Sequence, residues 1–200
     1  PQEVVELRQE LGLNDPLPIR YGRWVSNAVR GDLGESYRSG DSIANELLRR
    51  LPATLLLAAT ALALAVAAGI PLGVLAAVNR GTWLDTSCRL LALVGAAVPS
   101  YVMAPVLMLF FAVKLGWLPA VGYGSPKNLL LPALALSFGT MAQLMRLTRA
   151  SVLDVLGQDY IRTARAKGLS ERSVVWGHGL KSALLPVVTV LGTSTGFLLG

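Results

Sequence analysis

The side chains best suited to chemistry in this 200-residue chain cluster between Asp159 and Glu171. There Arg162, Arg165 and Lys167 surround the small residues Thr163, Ala164 and Ala166, and the group ends at Gly168. Cations on one short helix bind acidic groups through charge-assisted hydrogen bonds, and small residues between them permit a tight fit to another surface. This is recognition chemistry, not bond-making chemistry. Cys88 is the only cysteine, so no intrachain disulfide or cysteine metal cluster can form, and the lone His178 argues against a histidine metal site or triad. Cys88 is read as a small packing residue. No Gly-x-x-x-x-Gly-Lys-Ser/Thr loop is present to cradle a nucleotide's phosphates.

Local signals say how this cluster is held. Gly157 loosens a preceding helix, and a short helix starts at Asp159, whose charge suits the positive end of the helix dipole, as Arg165 and Lys167 suit the negative end. Tyr160, Ile161 and Ala164 share one face of it. Gly168 is predicted to close it as a left-handed cap. Ser170 then caps a second short helix with Glu171 in its first turn and Val174, Val175 and His178 along one side. An amphipathic helix lying on anionic lipid is the competing reading, but the apolar face is slight and the small residues favour a protein surface.

The elements on either side are apolar. The apolar share is 53%, the charged share 15% and the mean hydropathy +0.54, against about 45–50% apolar and about 25% charged in ordinary soluble domains. No Asp, Glu, Lys or Arg occurs in 51–79, 90–113, 128–145 or 182–200, and each run is long enough for the ~17–25 residues of a membrane helix. The net charge of +6 does not indicate nucleic acid, because it is concentrated in one loop: residues 146–182 carry seven Lys/Arg against three Asp/Glu. Basic short loops stay cytoplasmic, which also puts the 79–89 turn inside and residues 1–50 and 114–127 outside. Residues 1–13 and Tyr21–Val29 read as short surface helices, and Asp41-Ser42 as the cap of a helix entering the first span. Gly69, Pro71 and Gly73 are expected to interrupt that span, and Pro99 and Pro105 to break the second beside a water-filled cavity. Ser100, Tyr101, Thr140, Gln143 and Thr189 are candidate lining residues of a translocation pathway. Gln143 leads them, since a carboxamide inside a membrane needs a partner or water.

With these residues in view, the chain resembles the permease subunits of binding-protein-dependent ABC importers. Their cytoplasmic loop has the form Glu-Ala-Ala, three residues, Gly, then a run to Leu-Pro; here Thr163-Ala164-Arg165-Ala166-Lys167-Gly168 and Leu185-Pro186 match it. The wording of Asp159–Leu169, Gly31-Asp32-Leu33-Gly34, Leu51-Pro52-Ala53-Thr54-Leu55, Gly69-Ile70-Pro71-Leu72-Gly73, Leu115-Gly116-Trp117-Leu118-Pro119 and Leu147-Thr148-Arg149-Ala150 is similar to the B-type subunit of the dipeptide/oligopeptide/nickel branch. Two departures are Arg162 where the signature has its glutamate and Lys181 where it often has a proline.

The resemblance implies an all-α, polytopic membrane helix bundle of the type I ABC importer permease kind, with four spans here and about six in a full subunit. It implies an extracytoplasmic segment over 1–46 and a permease domain over 47–200 that includes a cytoplasmic coupling segment at 151–183. Tyr160, Ala164 and Gly168 would seat the coupling helix on an ATPase subunit, with Arg162, Arg165 and Lys167 pairing with its acidic groups. The implied partners are a second, C-type permease subunit, two cytoplasmic ABC ATPase subunits, an extracytoplasmic solute-binding protein and the lipid bilayer, with no nucleic acid. By the same resemblance this chain would bind no cofactor, ATP and magnesium would belong to the ATPases, and the chain would not itself be an enzyme. The implied location is a bacterial or archaeal inner membrane, and the implied cargo is peptides or related small solutes. An ion-gradient-driven transporter and a non-transporting scaffold are the alternatives, the first weakened because ion-coupled transporters usually carry ionisable groups within their spans. If Ser100, Tyr101 and Gln143 line a pathway, cysteines placed there will react with polar thiol reagents; complete protection in both transport states would make them packing residues.

Overall fold

The computed structural model describes residues 14–36, 40–122 and 124–199. The helix predicted over 1–13 lies outside them. The described residues are helical or irregular, apart from one antiparallel bridge between Glu35 and Ser42. Two compact units share the chain, residues 1–53 and 54–200. In the first, helix α1 spans Leu17–Val29, starting four residues ahead of the predicted Tyr21 because Pro16 and Pro18 are pre-organised for a helix start. Its end turns through Gly31 at φ +86°.

Helix α2 runs unbroken from Ile43 to Val78, 36 residues, or about 54 Å at ~1.5 Å per residue. It begins at the predicted Ser42, whose carbonyl accepts from Glu46 N–H at 3.1 Å. The expected interruption at Gly69, Pro71 and Gly73 does not occur. These glycines instead face helix α5 (Pro126–Leu156) so closely that no side chain fits. A Cβ on Gly69 would lie 2.8 Å from the Met141 carbonyl oxygen, and one on Gly73 would lie 2.6 Å from that of Met145 and 2.7 Å from Thr148 Cβ. Ala61, Ala65, Gly69 and Gly73, all buried, recur every four residues, which puts one smooth stripe on α5. Lipid exerts little hydrophobic pressure between helices, so close backbone approach through small residues supplies the dispersion contact that holds them. Thr148, in the same seam, is fully buried and its hydroxyl has no hydrogen-bond partner among the described residues.

The second apolar run is not one straight span. Helix α3 (Trp83–Ala97) stops at Val98, and α4 (Ser100–Leu107) continues into a π-helical stretch, Met108–Lys114; the two halves are bent by 109°. Pro99 forces Val98 into an extended conformation (φ −91°, ψ 116°), as proline does to the residue before it. Pro105 removes a further donor inside α4, and the wider turn follows within three residues. Among the described residues three helices are thus long and apolar enough to cross a membrane, and four if this bent pair counts as one broken span. Gly95 brings α3 onto α5: a Cβ there would lie 2.8 Å from Ala142 Cβ. Cys88 is buried beside Ala76, Ala92, Ala142 and Met145, as its reading as a packing residue expects.

Helix α5 is central, packed against α2, α3, α4 and the last long helix, α7 (Leu180–Leu199). Leu144, Val187 and Ala65 close one layer, and Val74, Ala77, Val152, Val175 and Ala183 another. A polar contact crosses this apolar packing. Asp85, 1% exposed in the first turn of α3, accepts from Arg149 Nε at 2.7 Å and Nη2 at 2.8 Å, and from the Gly81 N–H at 3.0 Å. Arg89 stands 3.7 Å from the same carboxylate. The fork-on-carboxylate geometry fixes direction as well as charge, and it ties the α2–α3 turn to α5.

Two outcomes follow from this packing. Gly73→Ala, which places a methyl against backbone, will cost about 1–3 kcal/mol of stability, whereas Gly192→Ala, with nothing within 4 Å, will be neutral or favourable by up to ~1 kcal/mol; unfolding midpoints in detergent compare them. Asp85→Asn and Arg149→Gln will each lower stability, Arg149→Gln the more, because it leaves the buried carboxylate with only Arg89 at 3.7 Å and the Gly81 N–H. The double variant will lose less than their sum in the same assay.

Candidate functional site

The basic segment is built as a folded-back pair. Helix α5 ends at Leu156, and Gly157 and Gln158 turn the chain with N–H bonds to Asp154 and Val155 carbonyls at 3.3 and 3.0 Å. Helix α6 spans Asp159–Ala166, with Asp159 in its first turn and Arg165 in its last, as predicted. Its inner face is Ile161 and Ala164, buried against Val174 with Val155 and Leu156 alongside. Tyr160 does not join that face; it is 46% exposed. Its outer surface carries Tyr160, Arg162, Thr163, Arg165, Ala166 and Lys167.

Gly168 closes α6 at φ +79°, a region only glycine enters freely. Its N–H bonds the Arg165 carbonyl at 2.9 Å and that of Leu169 bonds Ala164 at 3.4 Å, the paired bonds of a Schellman cap. A salt bridge then spans the turn: Arg165 Nε and Nη2 donate to the two oxygens of Glu171 at 2.7 and 3.2 Å. The guanidinium's hydrogen bonds hold the Glu171 carboxyl below its usual range and push Arg165 up. Arg165, expected to pair with acidic groups of a partner, is thus engaged within its own chain here, with its side chain still 39% exposed. Arg162 has only a loose, exposed pairing with Asp159 at 3.4 Å, and Lys167 has no ion pair among the described residues.

Ser170 begins the next helix, with its Oγ accepting from Ser173 N–H at 3.4 Å and its carbonyl from Val174 N–H at 3.0 Å. The predicted second short helix is not separate. It continues through a π-helical stretch, Ser173–Gly179, directly into α7, with Pro186 inside the helix. Val174 and Val175 face inward but His178 is exposed, because the wider π turn moves it off their side. The buried Gly179 gives that turn room: a Cβ there would sit 3.3 Å from the Val174 carbonyl.

The candidate pathway residues are spread over three helices. Ser100 and Tyr101 are exposed just past the Pro99 bend, Tyr101 at 77%. Gln143 is exposed on α5 and borders a recess of about 310 Å³ with Arg146, Leu147 and Val190. Thr189, next to Val190, turns its hydroxyl onto the Leu185 carbonyl at 3.3 Å. Thr140 is buried at 9%, placing it in helix packing and away from open space. No hydrogen bond joins Ser100, Tyr101 and Gln143 among the described residues. Sequence reading passed over Asp85 and Arg149 as a pair, 64 positions apart; the available signal was one acid at the edge of an apolar run in an otherwise basic turn.

Comparison with known proteins places this geometry in a family. Residues 69–200 match the family described as binding-protein-dependent transport system inner membrane component. The glutathione transport system permease protein GsiC of Escherichia coli O6:H1 is 46% identical over 199 residues, covering 99% of this chain. The proteins of that name from Escherichia coli K12 and Shigella dysenteriae serotype 1 are each 45% identical over 199 residues and 99% of this chain. The chain spans 65% of the length of these relatives. With a helical bundle able to cross a membrane, a matched region covering the bent pair, α5, the Gly168 turn and α7, and relatives aligned along nearly its whole length, the chain belongs to the inner membrane permease components of binding-protein-dependent transport systems.

Proposed function

We propose that this chain is one of two membrane subunits of an ATP-driven ABC importer. It forms half of a pathway for peptides or similar small solutes, with a second, C-type permease subunit forming the other half. The glutathione named for its relatives is a small peptide-like solute of this class. Two cytoplasmic ATPases would bind and hydrolyse ATP with magnesium, and a solute-binding protein would deliver cargo from outside. The matched relatives are bacterial, so the bacterial inner membrane is the location we favour over an archaeal one. Family membership weighs against an ion-gradient-driven carrier and against an inert scaffold.

The observation that carries this reading is the construction of residues 151–183. Helix α6 is packed onto the root of α7 by Ile161, Ala164 and Val174 and locked there by the Gly168 cap and the Arg165–Glu171 bridge. A load applied to its outer face therefore reaches a membrane helix without first unfolding a loop. In our reading Tyr160, Arg162 and Lys167 form the surface that meets the ATPase. Ala164, Arg165 and Gly168 set its shape: Ala164 from inside, Arg165 through Glu171 and Gly168 through its cap. Ala164→Arg is thus a poor probe of docking, since it would insert a charge into the buried cluster.

Exposed substitutions test the proposal cleanly. In the full transporter reconstituted with its ATPases, Tyr160→Ala combined with Lys167→Glu will lower solute-stimulated ATP hydrolysis at least about tenfold, a change of ~1.4 kcal/mol, while membrane insertion stays normal. Unchanged stimulation would refute docking at this surface. The Arg165–Glu171 bridge adds a pH signature. Because the Arg165 guanidinium holds the folded carboxyl below the usual glutamate range, the bridge contributes fully at pH above that range and is lost only as pH falls through the lowered value. Glu171→Gln will remove the contribution at every pH, seen as faster proteolysis after Arg165 or Lys167 at neutral pH.

A further inference from the structure

A cleft of about 510 Å³ opens between α3 and α5, lined by Thr86, Arg89, Leu90, Leu93, Arg146 and Arg149. Three guanidiniums and no carboxylate line it. The one nearby acid, Asp85, is buried behind Arg149, which engages it at 2.7 and 2.8 Å, so Arg149 brings little charge into the opening. Arg89 is only 3.7 Å from Asp85, with its side chain 57% exposed, and it makes a long 3.4 Å bond to Thr86 Oγ1. Arg146 is exposed and has no ion pair among the described residues. The Thr86 hydroxyl is turned onto the Thr82 carbonyl at 3.2 Å. What the cleft offers a ligand is therefore two cationic forks, one from each helix, and a net positive field.

Its walls say what kind of anion fits. Leu90 and Leu93 are 57% and 60% exposed, and Thr86, Leu90 and Leu93 recur at i, i+4 and i+7, one stripe down α3. The stripe covers about 10 Å along the axis. One turn above it, at the helix start, Trp83 is 75% exposed. Trp is enriched at membrane interfaces, and from Trp83 the stripe runs toward the charge-free residues 90–113, the direction of the hydrocarbon if this segment enters a bilayer. We infer that the Arg89–Arg146 cleft binds an anionic phospholipid of the leaflet on the Trp83 side, its phosphate between the two guanidiniums and an acyl chain along Leu90 and Leu93. A free anion would use the arginines but not the leucines. An acidic side chain of a partner subunit would need no apolar track below the charge. The site takes Arg146, which also borders the Gln143 recess, to face lipid and not the pathway, and it does not depend on which solute is carried.

The test uses the complete transporter with its partner subunits, in vesicles of phosphatidylcholine containing a trace of photoactivatable phosphatidylglycerol or photoactivatable phosphatidylcholine. Phosphatidylglycerol will label α3 around Leu90 at least about tenfold more than phosphatidylcholine, two basic groups each contributing on the order of a decade or less. Millimolar inorganic phosphate will not displace it. Arg89→Gln with Arg146→Gln will abolish the preference, and Arg89→Lys with Arg146→Lys will keep most of it. Equal labelling by the two lipids in the unmodified protein, displacement by phosphate alone, a preference that survives the Gln pair, or cross-linking of position 89 or 146 to an acidic residue of a partner subunit would each overturn the assignment. The comparison of lipids on the unmodified protein decides the matter even if a variant fails to assemble.

Discussion

The pair of buried Asp85 and half-buried Arg149 is the contact on which this end of the helix bundle turns. Everything around it is apolar and smooth: α2 meets α5 through Gly69 and Gly73, and α3 meets α5 through Gly95. Smooth helix surfaces in lipid hold each other by close contact, which is strong in sum and weak in defining where along its axis a helix stops. A carboxylate gripped by both arms of a guanidinium, and by the Gly81 N–H at 3.0 Å, defines that stop. It pins the α2–α3 turn at the point where α5 leaves the apolar layer on its way to Gly157 and α6. Three helices thus share one polar anchor, placed one short helical segment away from the surface proposed to meet a motor.

Much of this was legible in the residues. The charge-free runs located the long helices, Gly168 announced a left-handed cap, and Asp159 and Ser170 marked helix starts where they are found. The misreadings share a cause. Gly69 and Gly73 read as helix breakers because glycine is costly in an isolated helix; the missing Cβ is instead what the neighbouring helix requires, and only the position of that neighbour reveals it. Spacing alone puts Tyr160 with Ala164, four residues on, yet the buried side of α6 is centred on Ile161 and Ala164 against Val174 and leaves Tyr160 46% exposed. The Asp85–Arg149 pair was invisible because a contact across 64 positions leaves no local periodicity.

The bend at Pro99 illustrates the limit of composition. Hydropathy sees residues 90–113 as one span, and proline's effect on Val98 converts it into two pieces at 109°. Ser100 and Tyr101 owe their exposure to that corner, while Thr140, equally polar in type, is buried by packing. Polar residues within apolar runs therefore divide by geometry into those facing open space and those between helices, a division their identities do not contain.

The unbroken path from Ser170 through Ser173–Gly179 into α7 has one further implication. A helix turns about 100° with each residue, so the compass heading of α6 about the axis of α7 is fixed by how many residues lie between them and by the wider π turn that intervenes. Lengthening that stretch by a single residue would leave every bond of the Gly168 turn intact yet aim the whole surface elsewhere, like a key cut correctly but rotated on its shaft.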